Sequence, residues 1–171
     1  MGKFPKLAWV SLVVFILNYA VWYFINYRIW YDTYDWVTRA AVSSHAADMA
    51  GYLDNGINGM KKWGFTQGNA ALIFKSPAND MSLILKSLER TKERASLLEK
   101  EFLGGTNPTN KITTVEYNQA LVDLRSTLTE YPLQADYYWD VHFPGIIVSA
   151  IYYFSLLALV IGVIQPLVKL E

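Results

Sequence analysis

The sequence predicts an all-α membrane protein: two transmembrane helices flanking an extracytoplasmic domain of about three helices. Three observations carry that prediction. Two runs, Leu7–Tyr27 and Pro144–Val168, contain no charged side chain, and each is long enough as a helix to cross the ~30 Å hydrocarbon core of a bilayer. Lysines flank the outer ends of both runs. Between the runs lies a polar stretch of roughly 115 residues whose apolar positions recur at helical spacing. The expected organisation is a short cytoplasmic tail (1–6), a first span (7–30), an extracytoplasmic helical domain (31–143), a second span (144–168) and a cytoplasmic tail (169–171).

The first run is preceded by Lys3 and Lys6 and closed by Arg28. A cleaved signal peptide has an apolar core of about 7–15 residues and a small-residue cleavage site. This run is longer and ends in bulky Tyr23, Phe24, Tyr27 and Trp30, so it reads as an uncleaved anchor. Orientation follows from charge. Lys3, Lys6 and Lys169 flank the outer ends, while Asp32, Asp35, Asp136 and Asp140 crowd the inner flanks with Arg28 opposing. Cationic flanks stay cytoplasmic and long loops translocate largely regardless of charge, which predicts two cytoplasmic termini. Trp22, Tyr23, Tyr27, Trp30, Tyr31, Tyr34 and Trp36 gather at one end of this run; Tyr137, Tyr138, Trp139 and Phe143 gather at the matching end of the second. Such rings favour headgroup depth, having an apolar body and a hydrogen-bonding edge, and anchoring is the simpler reading than a quinone or lipid ledge. Asn18 falls near mid-membrane, where an amide seeks a partner on a neighbouring helix. Neither run holds an acid or a His for a proton relay.

The polar region opens with a helix expected over Tyr34 to about Met60. Ala46, Met49, Leu53, Ile57 and Met60 draw an apolar stripe, and its many Ala, Ser and Gly residues allow close approach of another helix. His45, Asp48 and Tyr52 share another face. A metal or proton site there needs ligands from elsewhere, and His142 is the only other His, so a solvated or capping role is favoured. The Asn55-Gly56 and Asn58-Gly59 pairs read as the helix end; the alternative is a last turn through Met60–Trp63 with Gly64 as the stop. The irregular stretch 54–75, with Trp63, Phe65, Leu72 and Phe74, is the expected partner-binding segment of the domain, because connectors on a rigid scaffold carry binding more often than helix interiors. The rival reading is that Ala70–Phe74 plugs the helical core.

Ser76-Pro77 predicts the start of a helix running to about Leu103, with Met81, Ile84, Leu85, Leu88, Ala95, Leu98 and Phe102 inward and its charged residues in water. Gly104-Gly105 stops it. Thr113 with Glu116 predicts a capping box for a third helix from Thr114 to about Tyr131, seamed by Tyr117, Leu121, Leu124, Leu128 and Tyr131 and ended by Pro132. In the second run, Ala158 and Gly162 form a small-xxx-small pair with Ser155 nearby, a packing face for another membrane helix.

Function classes narrow by exclusion. Fifteen basic residues against fifteen acidic ones leave no field to attract nucleic acid. The chain has no cysteine, which rules out disulfides, thiolate zinc sites and iron–sulfur clusters. No GxSxG, HExxH, P-loop or dinucleotide fingerprint appears, so neither catalysis nor a cofactor or metal is expected. With only a few residues beyond the second run, no cytoplasmic output domain is expected either. The leading expectation is a non-catalytic subunit of a larger membrane complex, in a bacterial inner membrane or, by the same physics, a mitochondrial one. Its partners would be the bilayer and other integral membrane subunits, met through Asn18, Ser155, Ala158 and Gly162 in the spans. The alternatives are a ligand-sensing or adaptor module and a self-assembling homo-oligomer.

Overall fold

The computed structural model describes residues 6–71, 75–104, 113–129, 135–142 and 144–168. Seven α-helices occur among them: α1 (Lys6–Asp32), α2 (Tyr34–Val42), α3 (Ala46–Lys62), α4 (Met81–Gly104), α5 (Thr114–Thr129), α6 (Ala135–Val141) and α7 (Gly145–Val168), with a 3-10 turn at Pro77–Asn79. The described residues hold no strand beyond one isolated antiparallel bridge between Asn69 and Asp80. The chain divides into two compact units. One holds α1 up to Arg28 together with the chain from Trp139 onward; the other is Ile29–Tyr138.

Among the described residues, one continuous apolar helical stretch, Trp9–Val42, is long and apolar enough to cross a membrane, and only 6% of its most apolar window is buried. A soluble core helix would bury that surface. Leu17, Phe24 and Val10 are more than half exposed. Within this unit α1 meets α7 through aromatic rings: Tyr152 lies 5.4 Å from Phe15, 5.8 Å from Trp22 and 6.2 Å from Tyr19, centroid to centroid. Gly145 opens α7 because a Cβ there would fall on the Trp139 carbonyl and ring.

In the other unit the expected Tyr34–Met60 helix is two helices. The break is at Ser43, whose backbone is extended. Its hydroxyl donates to the His45 carbonyl at 2.9 Å, the local competition with helical bonding that Ser offers. Arg125 of α5 holds the Ser43 carbonyl through Nε at 2.7 Å and through its Nη2. Helix α3 then runs straight through both Asn-Gly pairs, so the alternative ending is the one adopted. Gly64 has φ +77°, the Phe65 N–H reaches the Met60 carbonyl (2.8 Å) and the Gly64 N–H reaches that of Lys61 (3.2 Å). That is a Schellman ending with Phe65 as its buried apolar residue.

Gly56 and Gly59 serve packing rather than turning. A Cβ on Gly59 would fall on the Asp32 carbonyl, and one on Gly56 would lie 3.0 Å from Val37 Cγ2 and 3.4 Å from the Thr33 carbonyl. Helix α3 therefore rests almost on the backbone where α1 passes into α2.

Helix α4 starts later than Ser76-Pro77 suggests. Those residues open the 3-10 turn, and Asp80 caps α4 instead, its Oδ1 accepting the Ser82 and Leu83 N–H groups at 2.9 and 3.3 Å. Two ion pairs fix an antiparallel α3–α4 register, Lys61–Glu89 and Lys92–Asp54, both 2.8 Å. Helix α5 has the expected capping box: Thr113 N–H donates to Glu116 (2.7 Å) and Glu116 N–H to the Thr113 hydroxyl (3.2 Å). The stripe Ala46, Met49, Leu53, Ile57 and Met60 is buried, as are Met81, Ile84, Leu85, Leu88, Ala95 and Leu98 of α4 and Tyr117, Leu121, Leu124 and Leu128 of α5. Phe102 is half-buried, and the expected seam residue Tyr131 lies outside the described residues.

Candidate functional site

The chemistry-bearing residues collect in three places, one in the first unit and two in the second.

In the first unit Asp140 sits between α1 and the start of α7. Its Oδ1 accepts the Trp22 indole N–H at 3.0 Å and the Ser149 hydroxyl at 3.1 Å. One carboxylate oxygen thus ties the two apolar helices together beside the Tyr152 ring cluster. A carboxylate accepting two donors contributes more than a neutral pair, since charge-assisted bonds are roughly twice as strong. Asn18 lies on the same helix as Trp22, half-exposed as a residue, with its amide oxygen enclosed and without a hydrogen-bond partner. The Asn26 oxygen is in the same state, although its Nδ2 donates to the Trp22 carbonyl at 3.0 Å. Ser155 is buried and donates to the Tyr152 carbonyl at 2.8 Å. Ala158 is half-buried on α7, and Gly162 lies farther along the same helix.

The second place is the end of α1. Asp32, its last residue, accepts Lys62 Nζ at 2.7 Å and the Trp63 indole N–H at 3.1 Å. Ile29 and Thr33 on either side are fully buried, and the Thr33 hydroxyl donates back to the Ile29 carbonyl at 2.6 Å. The last turn of the apolar helix is therefore part of the core of this unit. Phe65 is fully buried and meets the Tyr138 ring edge-on at 5.0 Å, while the Tyr138 hydroxyl donates to the Gln67 carbonyl at 2.7 Å. Burial raises the Tyr138 pKa above its ordinary value. Ala70 is buried; Leu72 and Phe74 lie outside the described residues.

The third place is the α2–α3 corner. The Tyr117 hydroxyl accepts the Ala46 N–H at 2.8 Å and donates to Glu99 at 2.9 Å, joining α3, α4 and α5 through one oxygen. Burial raises its pKa; the bond from Ala46 acts against that, and Glu99 adds to it. An open cleft of about 540 Å³ lies beside it, lined by Ala47, Ala50, Ser96, Glu99, Lys100 and Leu103. His45 and Asp48 at this corner are exposed, and His45 makes no side-chain cap. Among the described residues no three His, Cys, Asp or Glu side chains converge as a metal site would require.

Of the sequence-picked residues, the structure brings Trp63 and Phe65 into one unit and Asn18, Ser155 and Ala158 into the other. Sequence reasoning did not single out Asp32, Asp140 or Gly59. The available signal was that Asp32 and Asp140 are the first acids beyond their apolar runs, each beside a Trp-rich stretch. Comparison with protein-family models, curated proteins and solved structures finds no match.

Proposed function

We propose that this chain is a non-catalytic accessory subunit of a larger membrane protein complex. It spans the bilayer twice, by α1 and α7, with both termini cytoplasmic and the Ile29–Tyr138 domain outside, in a bacterial inner membrane or an equivalent one. The observation that carries the reading is the apolar stretch Trp9–Val42, whose most apolar 18-residue window is only 6% buried, although Ile29, Thr33, Val37 and Ala40 farther along it are buried. Uncovered apolar surface of that length requires lipid or partner helices. The unpaired Asn18 oxygen supports partner helices in particular: a turn about its χ angles presents the amide to a neighbour, which relieves the cost of an unbonded amide in hydrocarbon. Helix α7 supplies the second span, with Ser155, Ala158 and Gly162 as its close-packing face.

Purification of the tagged chain in a gentle detergent tests this. Defined membrane subunits should accompany it in fixed ratio. A chain that always emerges alone and monodisperse refutes the subunit reading.

The Asp32 junction favours a second reading, an adaptor or sensor that relays a change in the domain to a separate partner. Here the last turn of α1, Ile29 to Asp32, is built into the domain core. A small-molecule thermal-shift screen that stabilises the domain would support it, and a screen without any stabilising compound counts against it. Fixed homo-oligomers after crosslinking in native membranes would point to self-assembly instead.

A further inference from the structure

We propose that the outer flank of α4, from Leu83 to Glu101, is a docking groove for an acidic amphipathic helix of another subunit. The inference rests on the subunit reading and deepens it by naming the chemistry of one partner. At 3.6 residues per turn, Leu83, Ser87, Arg90, Arg94, Leu97 and Glu101 fall within an arc of about 80° and run along the helix for about 27 Å. This stripe lies away from the buried face of Ile84, Leu88 and Ala95, and away from α3, which holds Glu89 and Lys92 on another flank.

The stripe lies in a groove rather than on a bare ridge. At its start the 3-10 turn supplies a wall: Pro77 and Ala78 line an open cleft of about 420 Å³ with Leu83, Lys86, Ser87 and Arg90. That turn is held in place by the Ala70 N–H on the Asn79 carbonyl and the Met81 N–H on that of Gly68, both 2.8 Å. Toward the end α5 supplies the wall, where Ala120 and Leu124 line a second cleft of about 220 Å³ with Arg94, Leu97, Leu98 and Glu101. A groove of about five helical turns suits a helix laid along it.

Charge and apolarity together select the occupant. Leu83 and Leu97 are 48% and 49% exposed and stand two heptads apart, with Arg90 and Arg94 between them. Lys86, Arg90 and Arg94 are exposed and form no ion pair among the described residues. The acid of the stripe, Glu101, sits at its far end. A partner helix with Leu at heptad spacing, Glu against these cations and Lys against Glu101 complements the whole stripe, and guanidinium–carboxylate pairs fix its direction. An anionic bilayer is the poorer match, because Glu93 and Glu101 are exposed beside the cations and would face its phosphates.

Fluorescence anisotropy tests this with the full-length chain in dodecylmaltoside and a labelled helical peptide of three heptads, carrying Leu at two positions two heptads apart and Glu between them. Two counterparts replace its Glu by Lys or its Leu by Ser. The acidic Leu peptide should bind saturably, and both counterparts weakly. Arg94→Glu should weaken binding roughly tenfold or more, since it sets like charges together. Lys100→Glu, the same charge change on another flank of α4, should alter it little. The chain carrying Arg90→Glu with Arg94→Glu should instead take the Lys peptide, which a misfolded chain would not do. Absence of saturable binding by the acidic peptide overturns the groove, as does equal weakening by Arg94→Glu and Lys100→Glu. Arg94-dependent flotation of the chain with phosphatidylglycerol vesicles, uncompeted by the peptide, assigns the cations to lipid and overturns it too. Co-purification decides the subunit reading separately: subunits that still accompany a chain unable to bind the peptide leave that reading intact and overturn the groove alone.

Discussion

Helix α3 contains three glycines whose surroundings differ, and substituting each by Ala should give three different outcomes. Ala is favoured over Gly inside a helix by about 1 kcal/mol, and that gain is common to all three sites. At Gly51 an added methyl meets nothing within 4 Å, so Gly51→Ala keeps the whole gain. At Gly56 the methyl lies 3.0 Å from Val37 Cγ2, a stiff β-branched side chain, and the strain should offset most of the gain. At Gly59 the methyl falls on the Asp32 carbonyl, and that backbone cannot yield because Ile29 and Thr33 beside it are fully buried. Helix α3 must therefore move away. Overpacking of this kind costs about 1–3 kcal/mol. The shift also stretches the bonds from Lys62 and Trp63 to Asp32, of which the half-exposed Lys62 pair counts for little. Net destabilisation of Gly59→Ala should reach roughly 2–4 kcal/mol, using about 1.5–3 for a hydrogen bond to a charged group. For a chain of this size that lowers Tm by roughly 5–12 °C, against a rise of about 2–4 °C for Gly51→Ala. Thermal unfolding followed by far-UV circular dichroism in one detergent checks the order. A Gly59→Ala protein as stable as Gly51→Ala would refute the close approach of α3 to the end of α1.

Three further outcomes follow from the same structure. Tyr117→Phe strands the buried Ala46 N–H at a cost of about 1–3 kcal/mol, read as faster hydrogen exchange of that amide together with a lower urea midpoint. Asp54, Asp80 and Glu116 have pKa values held below ordinary carboxylate values, chiefly by bonds from Lys92, the Ser82 hydroxyl and the Thr113 N–H respectively. Their contribution is complete above about pH 4–5 and is lost as pH falls through the lower folded values, whereas the raised Tyr117 and Tyr138 lose theirs as pH climbs past about 10. Tm against pH should thus be flat near neutrality and fall at both ends, with Asp54→Asn flattening the acid limb; a decline already complete by pH 6 contradicts this. Tyr152→Ala removes a ring that touches Phe15, Tyr19 and Trp22, a loss of about 3–5 kcal/mol on the large-to-small scale. It should abolish disulfide crosslinking between cysteines placed on α1 and α7, and undiminished crosslinking would show that the ring cluster does not hold them.

The helices were legible because their signals are local. The stripe from Ala46 to Met60 and the capping box at Thr113 depend on spacing alone, and both appear as expected. What misled was any residue with two local meanings. Asn-Gly reads as a turn from sequence, yet at 55–56 and 58–59 the missing side chain gives clearance to the segment from Asp32 to Val37, a distant partner that no window of sequence displays. Ser43 has the opposite ambiguity. It sits in a helical pattern, and its departure from the helix is reinforced by Arg125, eighty-two residues away. Ser76-Pro77 and Asp80 compete for the same start; the nearer acid takes α4 because it can accept from Ser82 and Leu83 at once. The candidate hubs stayed hidden for a related reason. Asp32 and Asp140 read as flanking charges, and their indole partners Trp63 and Trp22 are far off in sequence.

The Asp32 junction also separates the two functional readings. A subunit held in its complex by lipid-level faces of α1 and α7 meets its partners through residues such as Asn18 and Ala158, and none of these touches Gly59. Loosening α3 with Gly59→Ala should then leave co-purifying partners in place, even though the domain melts earlier. A relay depends on the opposite property. Its signal has to pass through a stretch where an apolar helix and the domain core share residues, such as Ile29 to Thr33. There the same substitution should uncouple a domain ligand from any response of the partner while leaving ligand binding intact. One variant, scored by partner retention and by ligand response, therefore distinguishes a chain that works by occupying a place from one that works by transmitting a change.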